Sequence, residues 1–208
     1  MIKNLIVDLG HGGINPEGNY VTAPSKMHEF EDGEVAYEGE INREFGEEVK
    51  KIFRRFEPWL NVVFTVDPED YRDISLRERV RITNNYNKDE TIFISIHCNA
   101  GGGTGFEAYT TTGVTNSDRL AEYIYDSVEC LYEESNLGLR EDLTDGDRDK
   151  EVDFYVIRKT YCPAVLLELG FFDNKKDLKF LKSKDFQIDV ADCIYSGVMN
   201  YIIKENLK

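Results

Sequence analysis

His11, His97 and Glu168 each follow an apolar run. Leu5-Ile6-Val7 leads to Gly10-His11-Gly12-Gly13, Thr91-Ile92-Phe93-Ile94-Ser95-Ile96 leads to His97, and Ala164-Val165-Leu166-Leu167 leads to Glu168. Short apolar runs bounded by glycine or polar residues read as buried strands, which puts all three side chains at strand ends, where open α/β sheets bind their ligands. Glu38 joins them by a weaker step. It opens a helical pattern after the first strand's loop, and a helix returning along the sheet starts near the same edge. Two neutral imidazoles and a carboxylate are a His2Glu set, an open zinc site with a fourth position left for water. One Zn2+ ion on such a set polarises a carbonyl and activates a water. A further carboxylate, Glu168, would take the water's proton and return it to a leaving amine. That is amide hydrolysis without a serine or cysteine nucleophile.

These residues carry unequal weight. Glu168 lies between Leu167 and Leu169-Gly170, so it is carried toward the interior, where an unpaired carboxylate is costly. Spacing alone leaves Glu38 open against Glu34 and Glu40, because the dipole favours any acid at a helix N-terminus. His28 sits in a polar stretch and reads as solvated. Cys98 points away from His97 and reads as core, as do Phe45, Phe53, Phe56 and Tyr201, whereas Asn99 returns to the side of His97 as a candidate polar contact.

The elements that must position these residues follow from periodicity. Ile41, Phe45, Val49, Ile52, Phe53 and Phe56 form the apolar stripe of a helix opening at Glu38. Residues 61–66 read as a strand, Ser75 as the N-cap of a helix through Leu76, Val80 and Ile82, and residues 106–111 as another strand. Asn116 or Ser117 caps a helix through Leu120, Ile124, Val128 and Leu131, and a last helix uses Phe186, Val190, Ile194, Val198 and Tyr201. Residues 14–37 and 141–153 read as loops; the acid-rich 29–34 and 141–153 are lids over a groove or solvated surface. The β-α-β alternation predicts a single-domain α/β fold, a mostly parallel sheet with helices on both faces.

Composition narrows the partners. The 208 residues carry 40 acidic and 25 basic side chains, a net charge of −15, so the field repels polyanions and argues against nucleic acid. No apolar run is long enough to span a membrane, and the first residues carry no export signal. The four cysteines, at 98, 130, 162 and 193, lack metal-site spacing and read as buried small hydrophobes in a reduced protein. There is no tandem repeat or linker.

Several segments together resemble a known family: VDLGHGG at 7–13, EGEIN at 38–42, SLRERV at 75–80, SIHCNA at 95–100, GFEAY at 105–109 and PAVLLELGFFDN at 163–174. In this order they resemble the zinc-dependent N-acetylmuramoyl-L-alanine amidases of the type 3 amidase family, and VADCIYSGVMNY resembles that family's closing helix. The resemblance implies His11, Glu38 and His97 as zinc ligands and Glu168 as the catalytic acid and base. It favours Glu38 over Glu40, because Asn42 matches the asparagine of that family's helix-opening segment. Leu9 stands where the family has proline, and Cys98 where it has alanine.

The implied reaction is hydrolysis of the amide between the lactyl group of N-acetylmuramic acid and L-alanine of the stem peptide, on a twisted sheet of about six strands. The expected partner is peptidoglycan and the expected place of action the cell wall, periplasmic or extracellular. Delivery would be by a phage, by another export route, or after trimming of a signal. Residues 1–208 are then expected to be one zinc amidase catalytic domain, monomeric, without a separate wall-binding domain. The other readings are a zinc peptidase of carboxypeptidase type, which shares a His2Glu set, and an inactive wall-binding module on an inherited fold.

Overall fold

A computed structural model describes residues 1–22 and 24–207. In chain order the elements are β1 (Asn4–Leu9), β2 (Met27–Glu29), β3 (Val35–Tyr37), α1 (Glu38–Phe56), β4 (Asn61–Phe64), α2 (Leu76–Asn84), β5 (Thr91–Asn99), β6 (Glu107–Thr110), α3 (Asn116–Glu134), β7 (Lys150–Glu151), α4 (Tyr155–Lys159), β8 (Ala164–Phe171), α5 (Lys175–Leu181) and α6 (Lys184–Asn206). Six strands form one sheet in the order β4-β1-β5-β8-β6-β7. β4, β1, β5 and β8 run parallel, and β6 is antiparallel to β8. The expected single, mostly parallel α/β domain is the observed architecture.

The two faces of the sheet are covered unequally, and period-2 alternation decides what each receives. Leu5, Val7 and Leu9, with Ile92, Ile94, Ile96, Val165 and Leu167, turn to the thick face, where α1, α3 and α6 complete one continuous core. Ile6, Phe93, Ala164 and Leu166 turn to the other face, where Val156 and Ile157 of the short α4 close a small cluster. Continuing the same alternation, Asp8, Ser95, His97 and Glu168 share the thinly covered side. Cys98 is 1% exposed on the core side, as its neighbour's register requires. No helix among the described residues is long and apolar enough to cross a membrane.

Several expectations need correction. The strands run on past the candidate residues, so His97 and Glu168 lie within β5 and β8 and do not end them. Residues 27–37 hold an antiparallel hairpin, β2 with β3, inside the stretch expected to be loop; three-residue strands are too short to show a period. Thr115 caps α3, one residue before Asn116, through a capping box with Asp118. Ser75 caps α2 as expected, its Oγ accepting from Glu78 N at 3.2 Å. Phe56, in the last turn of α1, is 53% exposed and Cys130 is also exposed, because each falls on the outer side of its helix. All the cysteines are free thiols.

Candidate metal centre

The turn after β1 bends sharply enough to put His11 in the left-handed region, φ 64°, a conformation that costs a side-chain-bearing residue about 1–3 kcal/mol unless its surroundings enforce it. Here three side chains clamp the turn through its own carbonyls. Arg79 donates to Leu9 O, Asn42 Nδ2 to Gly10 O at 3.0 Å and Arg43 to His11 O at 3.1 Å. Arg79 itself is 2% exposed and pairs with Asp8 at 2.7 Å. Asp8 also accepts from Thr65 and Ser95. Burial pushes the Asp8 carboxyl up, but Arg79 and the two hydroxyls outweigh it and hold Asp8 below the usual carboxylate range.

Close backbone approach sets the remaining geometry. A Cβ on Gly10 would meet the His97 ring at 2.2 Å, and one on Gly39 would fall 1.8 Å from Gly12 O. The start of α1 therefore rests directly on the turn. Gly39→Ala is expected to cost about 1–3 kcal/mol through this clash with backbone and to weaken metal binding by displacing His11 from Glu38. Thermal melts and zinc titration of the variant check both effects.

Glu38, the first residue of α1, is 1% exposed. Its Oε1 lies 3.2 Å from His11 Nε2 and 3.0 Å from His97 Nδ1, and the two imidazoles stand edge to face at 5.1 Å. One donor atom from each of the three residues fits within a 4.8 Å span. Lys26 Nζ stands 3.3 Å from Glu38 Oε2. Burial raises the Glu38 carboxyl, yet the two histidines outweigh it and hold the group well below the usual range. Burial pushes the His11 imidazole down, toward the neutral form that can ligate a metal. His11 Nε2 and Glu38 Oε2 are buried without a hydrogen-bond partner. A converging nitrogen–oxygen set of this kind, with two of its buried atoms making no hydrogen bond, fits a divalent cation of zinc type.

Glu168 is the register partner of His97 across β5 and β8, so its side chain lies beside the trio on the same face. Its Oε2 is likewise buried without a partner. Burial, then the charge of Glu38, pushes its carboxyl well above the usual range, so it holds a proton more readily than an ordinary carboxylate. His11, His97 and Glu168 share a pocket of about 200 Å³ with Lys26, Leu76, Phe154 and Tyr155. A larger hollow, about 500 Å³, lies behind the turn against Glu40, Arg43, Glu44 and Glu47 and contains none of these groups.

The structure thus brings His11, Glu38, His97 and Glu168 together and leaves out their rivals. Glu40 accepts from Ile14 N at 2.7 Å, and Glu34 pairs with Lys175 and Lys182. His28 is half-buried in β2 against Phe30. Asn99 is engaged elsewhere, donating to Glu107 Oε2 at 2.7 Å after an irregularity in the β5 register. Sequence reasoning missed Lys26, Phe154 and Tyr155, which stand outside any periodic pattern. It also passed over Asp8 and Arg79, although an acid inside the run Leu5–Leu9 is the same signal that singled out Glu168.

Both the sequence and the fold have counterparts among known proteins. The profile of the family described as N-acetylmuramoyl-L-alanine amidase matches residues 5–200. The chain is 31% identical over 206 residues to an uncharacterized cell wall amidase of Bacillus anthracis, covering 96% of this chain and 35% of that protein. It is 36% identical over 137 residues to the N-acetylmuramoyl-L-alanine amidase CwlM of Bacillus licheniformis, covering 63% and 47%. The chain therefore spans between about a third and a half of these relatives. The catalytic domain of CwlV, an N-acetylmuramoyl-L-alanine amidase from Bacillus (Paenibacillus) polymyxa var. colistinus, superposes with a TM-score of 0.72 at 28% identity, covering 97% of this chain and 99% of that one.

Proposed function

The chain belongs to the N-acetylmuramoyl-L-alanine amidase family, and on that premise we propose that residues 1–208 are a zinc-dependent catalytic domain that releases stem peptides from peptidoglycan. The observation that carries the reading is the convergence of His11, Glu38 and His97 donor atoms within 4.8 Å, with Glu168 alongside. Action on peptidoglycan puts the working enzyme outside the cytoplasm.

In this reading His11, Glu38 and His97 hold the ion, which when bound supplies Lewis acidity toward the scissile carbonyl. Glu168 accepts a proton from the attacking water on its carboxylate, which lines the pocket with His11 and His97. As the water oxygen bonds to the carbonyl carbon and the C–N bond breaks, the same proton passes to the departing L-alanine nitrogen; the second proton of the water stays on the new lactyl carboxylic acid and is lost on its ionisation, the amine becoming an ammonium. Glu38 stays ionised throughout, because its depressed affinity for protons keeps it from competing with Glu168 for that proton. Leu76 and Phe154, 54% and 40% exposed, offer apolar walls for a substrate entering between α2 and α4.

The test is mass spectrometry of purified peptidoglycan after incubation with zinc-loaded protein and with chelated protein. Stem peptides with a free L-alanine amino terminus are expected from the first and none from the second. Intact stems, with cleavage of free peptides instead, would replace the amidase reading by a peptidase.

A further inference from the structure

The pocket of the histidine centre holds one ammonium that the proton transfers leave unused. Lys26 is the only Lys or Arg among the described residues that line it. Strand register brings it there. Met27 of β2 faces Tyr37 of β3, and one step further along the antiparallel pair Lys26 comes opposite Glu38, the first residue of α1. Tyr20 secures the place: its hydroxyl donates to Lys26 O and accepts from Gly39 N, each at 3.1 Å, and its ring packs on Tyr37 at 4.8 Å. Lys26 Nζ stands 3.3 Å from Glu38 Oε2, yet that oxygen accepts no hydrogen bond. The ammonium therefore lies beside the carboxylate without aiming an N–H at it. Its side chain is 39% exposed, and among the described residues no hydrogen bond engages Nζ.

A lysine whose task was to hold Glu38 would spend a donor on it, whereas this one keeps its three for a group entering the pocket. We propose that Lys26 reads a free carboxylate on the substrate, carried by the stem residue next to L-alanine; the proposal rests on the amidase reading for the bond that is cut. The field of a chain with net charge −15 disfavours anions, so a lone cation beside the reacting atoms acts on the part of the substrate it can touch. The pocket, about 200 Å³, admits a small group near the scissile bond. On the sugar side that group is not a carboxylate, because the carboxyl of N-acetylmuramic acid is itself tied up in the scissile amide. The anion therefore comes from the peptide. An ammonium donates charge-assisted hydrogen bonds to a carboxylate, and a carboxamide offers only a neutral acceptor, so contact with Lys26 separates acid from amide at that residue.

Two muramoyl peptides are compared that differ only in a carboxylate or a carboxamide on the residue after L-alanine. Their affinities are measured calorimetrically on zinc-loaded Glu168→Gln, with and without Lys26→Met, and their kcat/KM on the unaltered protein, Lys26→Met and Lys26→Arg. The acid is expected to bind and react about 10-fold better than the amide, the low end for a charged hydrogen bond because the ammonium is partly in water, with the difference in KM. Lys26→Met brings the ratio near one and Lys26→Arg keeps most of it. Zinc content of every variant is read alongside. A ratio near one in the unaltered protein, or a ratio that persists in Lys26→Met, overturns the proposal, and zinc lost from Lys26→Met with the ratio intact would make Lys26 a holder of Glu38 instead. A binding preference that depends on Lys26, with neither peptide cleaved by the unaltered protein, would leave Lys26 its role and overturn the amidase reading alone.

Discussion

Glu168→Gln is expected to lower kcat/KM on peptidoglycan by about 10³-fold while the protein still binds one zinc per chain, within the 10²–10⁴ that a positioned acid–base group contributes. The substitution keeps the shape of the side chain and removes only its ability to take and return a proton. His97→Ala is the contrasting case, since it removes a donor atom of the trio and lowers zinc affinity along with turnover. Zinc content by mass spectrometry, read beside initial rates, distinguishes the two. Zinc lost from Glu168→Gln would make Glu168 a ligand, and full activity in it would remove Glu168 from the chemistry.

The reach of sequence reasoning here follows the range of the physical signals. β1, β5 and β8 announce themselves because they are buried on both faces and read as continuous apolar runs, and the two histidines set just after those apolar runs were legible for that reason. Glu38 was a harder case. Helix periodicity locates its turn but cannot choose among acids two residues apart; the choice came from the family resemblance through Asn42, whose bond to Gly10 O joins positions 32 apart in the chain. The hairpin of β2 and β3 and the short α4, β7 and α5 leave too few residues for any period. The acidic segment at 29–34, expected as a lid or as solvated surface, is tied at Asp32 and Glu34 to Lys175 of α5. That pairing has no local trace, because its partners lie more than 140 residues apart. Cys98 and Ser75 were legible because each depends on a neighbour one to three residues away.

Arg79→Met is expected to destabilise the fold by about 3–5 kcal/mol, the cost of leaving a buried carboxylate without its partner, and to lower Tm by roughly 10 °C for a domain of this size. Asp8 and Arg79 are 1% and 2% exposed, so solvent cannot replace the lost charge. The sign of the pH dependence follows from Asp8, whose carboxyl is held below the usual range in the folded protein. Its contribution is present above the unfolded value and is lost as pH falls through the folded one. The gap between the unaltered protein and Arg79→Met is therefore widest at neutral pH and narrows on acidification. Asp8→Asn combined with Arg79→Met is expected to recover part of the loss, since the only charge then left without Arg79 is that of Asp73, which is partly exposed to solvent. Recovery stays partial because Arg79 also donates to Leu9 O and Ile74 O, and the turn that holds His11 loses that clamp in either variant. Zinc affinity should accordingly remain reduced in the double variant even where stability returns. Urea unfolding across pH with zinc titration of each protein measures both quantities, and full recovery of zinc affinity would detach Arg79 from the positioning of His11.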